Sequence, residues 1–190
     1  RVGTEEINKL LHATFEEKSL KEAKQLTQGL AASPGAAVGG IYFTAQEAVE
    51  AAKIKPVILV REETSPEDIE GMISSEAIVT LRGGMTSHAA VVARGMGKCC
   101  VCGCQNMIIN YAEKTLKIAG VTLHEGDTIS VDGSSGKVYL GEVDKVDAKF
   151  SDRFNKLLGW ADGIRELKVL ANADNETDAK VAFEFGAEGI

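Results

Sequence analysis

Apolar and polar positions alternate along this chain in blocks the length of single strands or helices of two to three turns. From Glu5 to Gly29 the spacing is helical. Ile7, Leu10 and Leu11 recur on one face, a polar break follows, and Leu20, Ala23 and Leu26 resume the pattern before Gly29 stops it. In "ASPGAAVGGIYF", Ala32 to Phe43, the Pro-Gly pair marks a turn and the small residues lead into a strand ending in Ile41, Tyr42 and Phe43. "TAQEAVEAAK" predicts a short helix capped by Thr44, with Glu47 where a capping-box partner belongs. The unbroken run "PVILV", Pro56 to Val60, predicts a buried strand. "TSPEDIEGM" predicts another helix, with Ser65 as cap, Pro66 at the first helical position and Asp68 three residues after the cap. "EAIVTL", Glu76 to Leu81, and "KCCVCG" read as two further strands, with a turn and a helix around His88 between them.

The texture then changes. "KTLKIAGVTLHEGDTISVDGSSGKVYLGEV" is rich in Thr, Val and Ile, with turn signals at Glu125-Gly126 and Asp132-Gly133-Ser134, the pattern of a β-meander. "SDRFNKLLGWADGI" returns to helix, capped by Ser151 and striped with Phe154, Leu157, Leu158 and Ala161. "LKVLANADNETDAKVAFEFGAEGI" reads as strand, loop, helix and the start of a strand, the grammar of an α/β barrel or doubly wound sheet. The expected organisation is α/β: linker helices over residues 1–29, a β/β/α domain over 30–145, a linker helix over 146–167, and the opening of a second domain over 168–190. The chain begins at Arg1 without methionine and stops in an apolar-to-glycine stretch, so it reads as a piece of something longer.

Composition narrows the functional classes. With 190 residues, 44% hydrophobic and 26% charged, the chain is ordinary for a globular protein. A net charge of −7 argues against nucleic acid and anionic membranes as partners, and no apolar run approaches the roughly 20 residues that span a bilayer. Cys99, Cys100, Cys102 and Cys104 crowd into one stretch instead of stapling distant segments. If Cys100, Cys102 and Cys104 share a strand face they suggest a thiolate metal or redox module, but structural zinc wants a second pair elsewhere. The other reading is buried free thiols in a reducing compartment.

One stretch carries chemistry: "LRGGMTSHAAVVARGMGKCC", Leu81 to Cys100. Gly83 and Gly84 allow close approach of a ligand or of the backbone. Thr86 or Ser87 can cap the following helix, which puts His88 in its first turn. Free N–H groups and the positive end of the helix dipole make that turn an anion site and disfavour a charged imidazole beside it. A neutral His88 could attack a phosphoryl group, with Thr86 and Ser87 stabilising the product. The residues alone leave two readings open: an ordinary polar side chain at a helix start, or a covalent phosphoryl acceptor. His12, beside leucines, and His124, in the "LHEGDT" turn, compete poorly for the role.

"GGMTSHAAVVARGMGKCCV" resembles the phosphohistidine motif of the phosphoenolpyruvate-utilising enzymes, in Gly-Gly, Thr-Ser-His, the small apolar run and Arg94. Met85 and the Gly97-to-Val101 segment are similar to the pyruvate phosphate dikinase branch, whereas the synthase and sugar-phosphotransferase branches usually carry Arg before Thr and Pro-Ala in place of Cys-Cys. "LLHATF", "VILVREETSPEDIEGM", "GDTISVDGSSGKVYLGE" and the last 24 residues extend the likeness over nearly the whole chain. Cys102 departs from it, standing where the family more often has Ser. The resemblance implies a swivelling domain that carries a phosphoryl group on His88, flanked by linkers and followed by the first βα unit of an α/β barrel. Gly84, Thr86, Ser87 and Arg94 are the expected phosphate-binding residues. Thr86 also matches a position that plant members phosphorylate to switch the enzyme off. The partners implied are an ATP-grasp domain and the barrel, acting on ATP, phosphate and pyruvate, in a homodimer of the complete enzyme. Magnesium is implied, with ligands outside these residues. A cytoplasmic location is implied, with plastid and glycosome as alternatives.

Overall fold

The computed structural model describes residues 12–146, 152–173, 175–184 and 186–190. The chain divides into two units, the first ending at Lys149 and the second beginning at Phe150. The first is built from β1 (Thr14–Phe15), α1 (Glu17–Glu22), β2 (Gln25–Gln28), β3 (Leu30–Ser33), β4 (Ala36–Tyr42), α2 (Ala45–Ala52), β5 (Val57–Arg61), α3 (Ile69–Ser74), β6 (Ala77–Thr80), α4 (His88–Gly95) and β7 (Cys99–Cys102). The meander follows as β8 (Met107–Asn110), β9 (Thr115–Ile118), β10 (Val121–His124), β11 (Thr128–Asp132) and β12 (Lys137–Leu140), and β13 (Lys145–Val146) closes the unit.

Eight strands form one sheet in the order β2-β12-β11-β4-β5-β6-β7-β3. The centre, β4 to β7, is parallel, because helices α2, α3 and α4 carry the chain back between strands. The flanking strands are antiparallel. Strands β2 and β3 lie at opposite ends of this order, although only Gly29 separates them in the chain. The sheet must therefore curl until its ends meet. At that seam Gly29 donates its N–H to the Gly136 carbonyl at 2.8 Å, and an added Cβ would sit 2.4 Å from the Cys102 carbonyl oxygen. No side chain fits there.

Two apolar layers hold the sheet. On one face Ile41, Ile58, Val60, Val79, Val101, Ile129 and Val138 meet Met107, Ile109, Leu116, Ile118 and Leu123 of the small β8–β10 sheet. On the other face Val57, Leu59, Ile78, Cys100 and Cys102 meet Ala48 of α2, Met72 of α3, and Ala89, Ala90 and Ala93 of α4. The "PVILV" strand is thus covered on both sides, as its continuous apolarity requires. The alanines of α4 let the helix lie close on β7. The caps anticipated at Thr44 and Ser65 both form. Thr44 accepts from the Glu47 N–H, and Ser65 and Asp68 make a reciprocal capping box around Pro66.

The amino-terminal expectation needs correction. The helix expected through Leu26 stops at Glu22. Gln25–Gln28 is instead β2, antiparallel to β12, with Leu26 and Thr27 buried. The long-range partner Val138–Tyr139 outweighs the local helical spacing, so the sheet takes in residues read as linker. Residues 5–11 lie outside the described set. His12 is half-buried, and His124 ends β10 with its side chain exposed. Among the described residues no helix is long and apolar enough to cross a membrane.

The second unit contains α5 (Asp152–Asp162), α6 (Glu176–Glu184) and a parallel bridge between Leu170 and Gly189. In place of the expected strands flanking the second helix, the described residues hold only this one bridged pair, beside which the Arg165 guanidinium forks onto both carboxylate oxygens of Glu188 at 3.0 Å. The expected cap Ser151 lies outside the described residues, as do the side chains of Phe154 and Leu157. Trp160, Ile164, Leu167, Val169, Leu170 and Phe183 of this unit are exposed.

Candidate phosphohistidine site

Parallel strands bring their carboxyl ends to one edge of the sheet, and the loops that follow them meet there. After β5 the chain runs through Glu62, Glu63 and Thr64 to the Ser65 cap. After β6 it runs through Arg82, Gly83, Gly84, Met85 and Thr86 to Ser87. The second loop needs glycine. Gly83 adopts φ +108°, and a Cβ there would come 2.9 Å from the Ser87 side chain. Gly84 has open space around it, so it is not enforced by packing in this arrangement.

Ser87, not Thr86, is the cap of α4. Its hydroxyl accepts from the Ala90 N–H and donates to the Gly84 carbonyl at 2.8 Å. His88 is therefore the first residue of the helix, half-buried. The N–H groups of His88 and Ala89 have no partner in the helical ladder, which is how a helix start presents donors to an anion.

The ring of His88 is fixed by a residue that the sequence did not single out. Its Nδ1 lies 2.9 Å from Oγ1 of Thr64, in the loop after the neighbouring strand. With Nδ1 engaged, Nε2 is the nitrogen left for chemistry. A ring that donates Nδ1–H to the Thr64 hydroxyl carries its lone pair on Nε2, the state a nucleophile needs. Sequence does hold one clue: neighbouring parallel strands β5 and β6 deliver the residues just after their ends to the same edge.

The other expected residues divide. Thr86 and Met85 are exposed on the loop surface. The inward commitment of the Ser87 hydroxyl makes it a builder of the turn more than a ligand for phosphate. Arg94 is placed differently from the expectation. Its guanidinium donates to the Met85 carbonyl at 2.6 Å and the Ala32 carbonyl at 3.3 Å, so it ties the loop to β3 instead of facing an anion. Arg61 is likewise occupied, by Asp68 at 3.2 Å and the Phe43 carbonyl at 3.0 Å. Arg82 is exposed, 3.9 Å from Glu63. Arg61, Glu62, Glu63, Arg82 and Tyr111 line an open cleft of about 470 Å³ next to the loop that carries Thr64.

The cysteines also rearrange. Cys99 faces the β8–β10 side while Cys100 and Cys102 face α4. Cys104 does not share the face of Cys100 and Cys102. Gly103, at φ +72°, turns the chain out of β7, and the Cys104 thiol falls into the opposite layer with Cys99. Burial pushes the thiols of Cys99 and Cys104 up to about 12. The three-thiolate face that would suit a metal does not form, and among the described residues no group of three or more His, Cys, Asp or Glu side chains could hold a metal ion.

With this geometry in hand, comparison with known proteins is specific. Residues 53–136 match the family described as PEP-utilising enzyme, mobile domain. The whole chain is 53% identical over 191 residues to pyruvate, phosphate dikinase of Clostridium symbiosum, of which it covers 22%. It is 50% identical over 191 residues to pyruvate, phosphate dikinase of Entamoeba histolytica, covering 21% of that protein. Over 185 residues, 97% of this chain, it is 51% identical to pyruvate, phosphate dikinase 2 of Zea mays, again covering 21%. The chain spans about a fifth of the length of these curated relatives.

Proposed function

We propose, from the premise that this chain belongs to the mobile-domain family of PEP-utilising enzymes, that it is the phosphoryl carrier of a pyruvate phosphate dikinase. The observation that carries the reading is His88 at the first position of α4 with Nδ1 held by Thr64. In the loading step Nε2 donates its lone pair to the phosphorus of a phosphoryl donor. The P–N bond forms as the P–O bond to the leaving group breaks, and that group departs with the electron pair. Thr64 keeps the Nδ1 proton in place, so the ring becomes a phosphoramidate without losing its orientation. The first-turn N–H groups face the added charge. The open edge of the sheet lets a donor or acceptor approach Nε2 from solvent.

The wider assignment follows the same premise. In the complete enzyme an ATP-grasp domain would load His88 and an α/β barrel would unload it to pyruvate, the carrier swivelling between them. The exposed apolar side chains of the second unit support reading it as the beginning of that barrel, to be covered by the rest of its fold. Magnesium would be held by those other domains.

The test uses the complete protein with phosphoenolpyruvate. The expected product is an acid-labile, base-stable phosphoprotein with phosphorus on Nε2, seen by phosphorus NMR. His88→Ala that labels like wild type, or phosphorus on Nδ1, overturns the reading.

A further inference from the structure

Directly beneath the first turn of α4 lie two sulfurs with no part in the chemistry above. Cys100 and Cys102 alternate onto the same face of β7, and their Sγ atoms are 3.6 Å apart. Each also touches the helix start. Ser87 Oγ lies 3.8 Å from the Cys102 sulfur, and the Cys100 sulfur lies 3.9 Å from the Ala89 carbonyl. The surroundings make the two unequal. The neighbouring sulfur is the largest influence on each thiol, and the charge of Arg94 lies near Cys102, so the Cys102 thiol is brought down to about 6 while Cys100 is held protonated. Cys99 and Cys104, on the other face, have no such partner sulfur. A thiolate beside a thiol is the arrangement of an attacking and a resolving cysteine. Both side chains are covered, but Cys102 is covered by Ser87, which sits on the glycine-bearing turn at residues 83–84. Peroxide would have to reach it through an opening of that turn and of the α4 start packed with it.

We propose that Cys100 and Cys102 are a peroxide-sensitive dithiol, whose closure to a disulfide withdraws the sulfur beneath Ser87 and unsettles the turn that carries His88. The second half of this statement rests on the carrier reading; the first does not. In the first step the Cys102 thiolate attacks one peroxide oxygen. The O–O bond breaks, hydroxide leaves and is protonated to water, and Cys102 becomes a sulfenic acid. Cys100 then attacks that sulfur, the S–O bond breaks, and a second water leaves with the Cys100 proton. Two thiols lose two electrons and one peroxide gains them. An S–S bond is about 2.05 Å long, and residues two apart on a strand lie near the upper limit of the Cα separation it tolerates. Strand β7 must therefore pucker, and α4, resting on it through Ala89, Ala90 and Ala93, must respond.

The complete protein is treated with hydrogen peroxide, alkylated after denaturation, digested and analysed by mass spectrometry. The peptide Cys99–Lys114 should carry alkyl groups on Cys99 and Cys104 and lack two hydrogens at Cys100 and Cys102. Cys100→Ser, without its resolving thiol, should trap a sulfenic acid on Cys102 that dimedone captures. Phosphoryl uptake from phosphoenolpyruvate should fall about fivefold or more on oxidation and return with dithiothreitol, while Cys102→Ser should hold its own rate under peroxide. Four alkylated cysteines after peroxide, or a bond that involves Cys99 or Cys104, overturns the dithiol. A disulfide at 100–102 with unchanged uptake overturns the coupling. If unoxidised protein takes no phosphoryl group at all, it is the carrier reading that fails, and the mass data still judge the dithiol.

Discussion

Thr64→Val is the sharpest perturbation of the site, because it changes one hydroxyl for a methyl of nearly equal size. The wild-type hydroxyl lies 2.9 Å from Nδ1 of a half-buried imidazole. A hydrogen bond of this kind is worth about 1 kcal/mol net, and a partner left without its mate in a partly covered position adds a further fraction. The loss falls on the reacting ring, which can then rotate about χ2 and exchange its tautomer. Nε2 then carries the lone pair toward the donor for only part of the time. Taking 1–2 kcal/mol as the range, the rate of phosphoryl uptake should fall about 5- to 30-fold. Rapid-quench measurement of phosphohistidine formation in the complete protein reads this directly. Thr64→Ser keeps the oxygen and should stay within about threefold of wild type. Two results would refute the reasoning: Thr64→Val loading at the wild-type rate, or Thr64→Ser falling as far as valine does. A fold effect is separated by urea unfolding: Thr64→Val should lose no more than about 2 kcal/mol and stay fully folded under the assay conditions.

Three further outcomes are expected. Asp68 joins the Ser65 capping box to the Arg61 ion pair while itself buried, so Asp68→Ala should cost about 3 kcal/mol of stability in urea unfolding, with Asn falling between alanine and wild type. Folded Cys102 releases its proton at about 6, whereas an unfolded thiol keeps it to about 9, so unfolding takes up a proton in that window. Stability should therefore rise from pH 6 to 9, by up to about 1.4 kcal/mol per pH unit. Above 9 the sign reverses, because folded Cys99 and Cys104 hold protons that the unfolded chain gives up; a Cys102→Ser variant with the same dependence between pH 6 and 8 would contradict the assignment. Thr86→Glu places a carboxylate on the exposed loop two residues before His88 and should slow phosphoryl uptake about tenfold, an effect that added salt reduces and Thr86→Val does not reproduce.

The residues that announced themselves were those whose structure is decided nearby. Ser65, Pro66 and Asp68 make a helix start from their own side chains, and Pro56 to Val60 must be buried whatever surrounds it. His88 was legible for the same reason, since Ser87 and the glycines fix the turn within six residues. What escaped was decided at a distance. Gln25–Gln28 has a buried pair at its centre, a pattern that a short helix shares, and only β12, more than a hundred residues on, makes it a strand. Thr64 and His88 belong to different loops and meet because β5 and β6 run parallel. Arg94 is an expected anion ligand through its place in the resembled motif, and a motif does not show the carbonyls of Met85 and Ala32 that the side chain meets. A face shared by Cys104 with Cys100 and Cys102 requires strand alternation to continue past Gly103, where the backbone turns.

The shortest sheet in the molecule has a mechanical meaning. Thr14 and Phe15 pair with Val146 and Lys145, and Ser19 donates to the Asp144 carboxylate at 2.6 Å, so the two ends of the described part of the first unit meet in one clip. Closing the chain between those ends from a random coil would cost about 4 kcal/mol, more than so small a ladder supplies at about 1 kcal/mol per bond. The clip therefore exists only because the body behind it is already folded. It is an antiparallel clasp held by few bonds, and its one buried side chain, Phe15 set edge-on against Tyr139 of β12, is where a pull on either end is passed to the eight-stranded sheet.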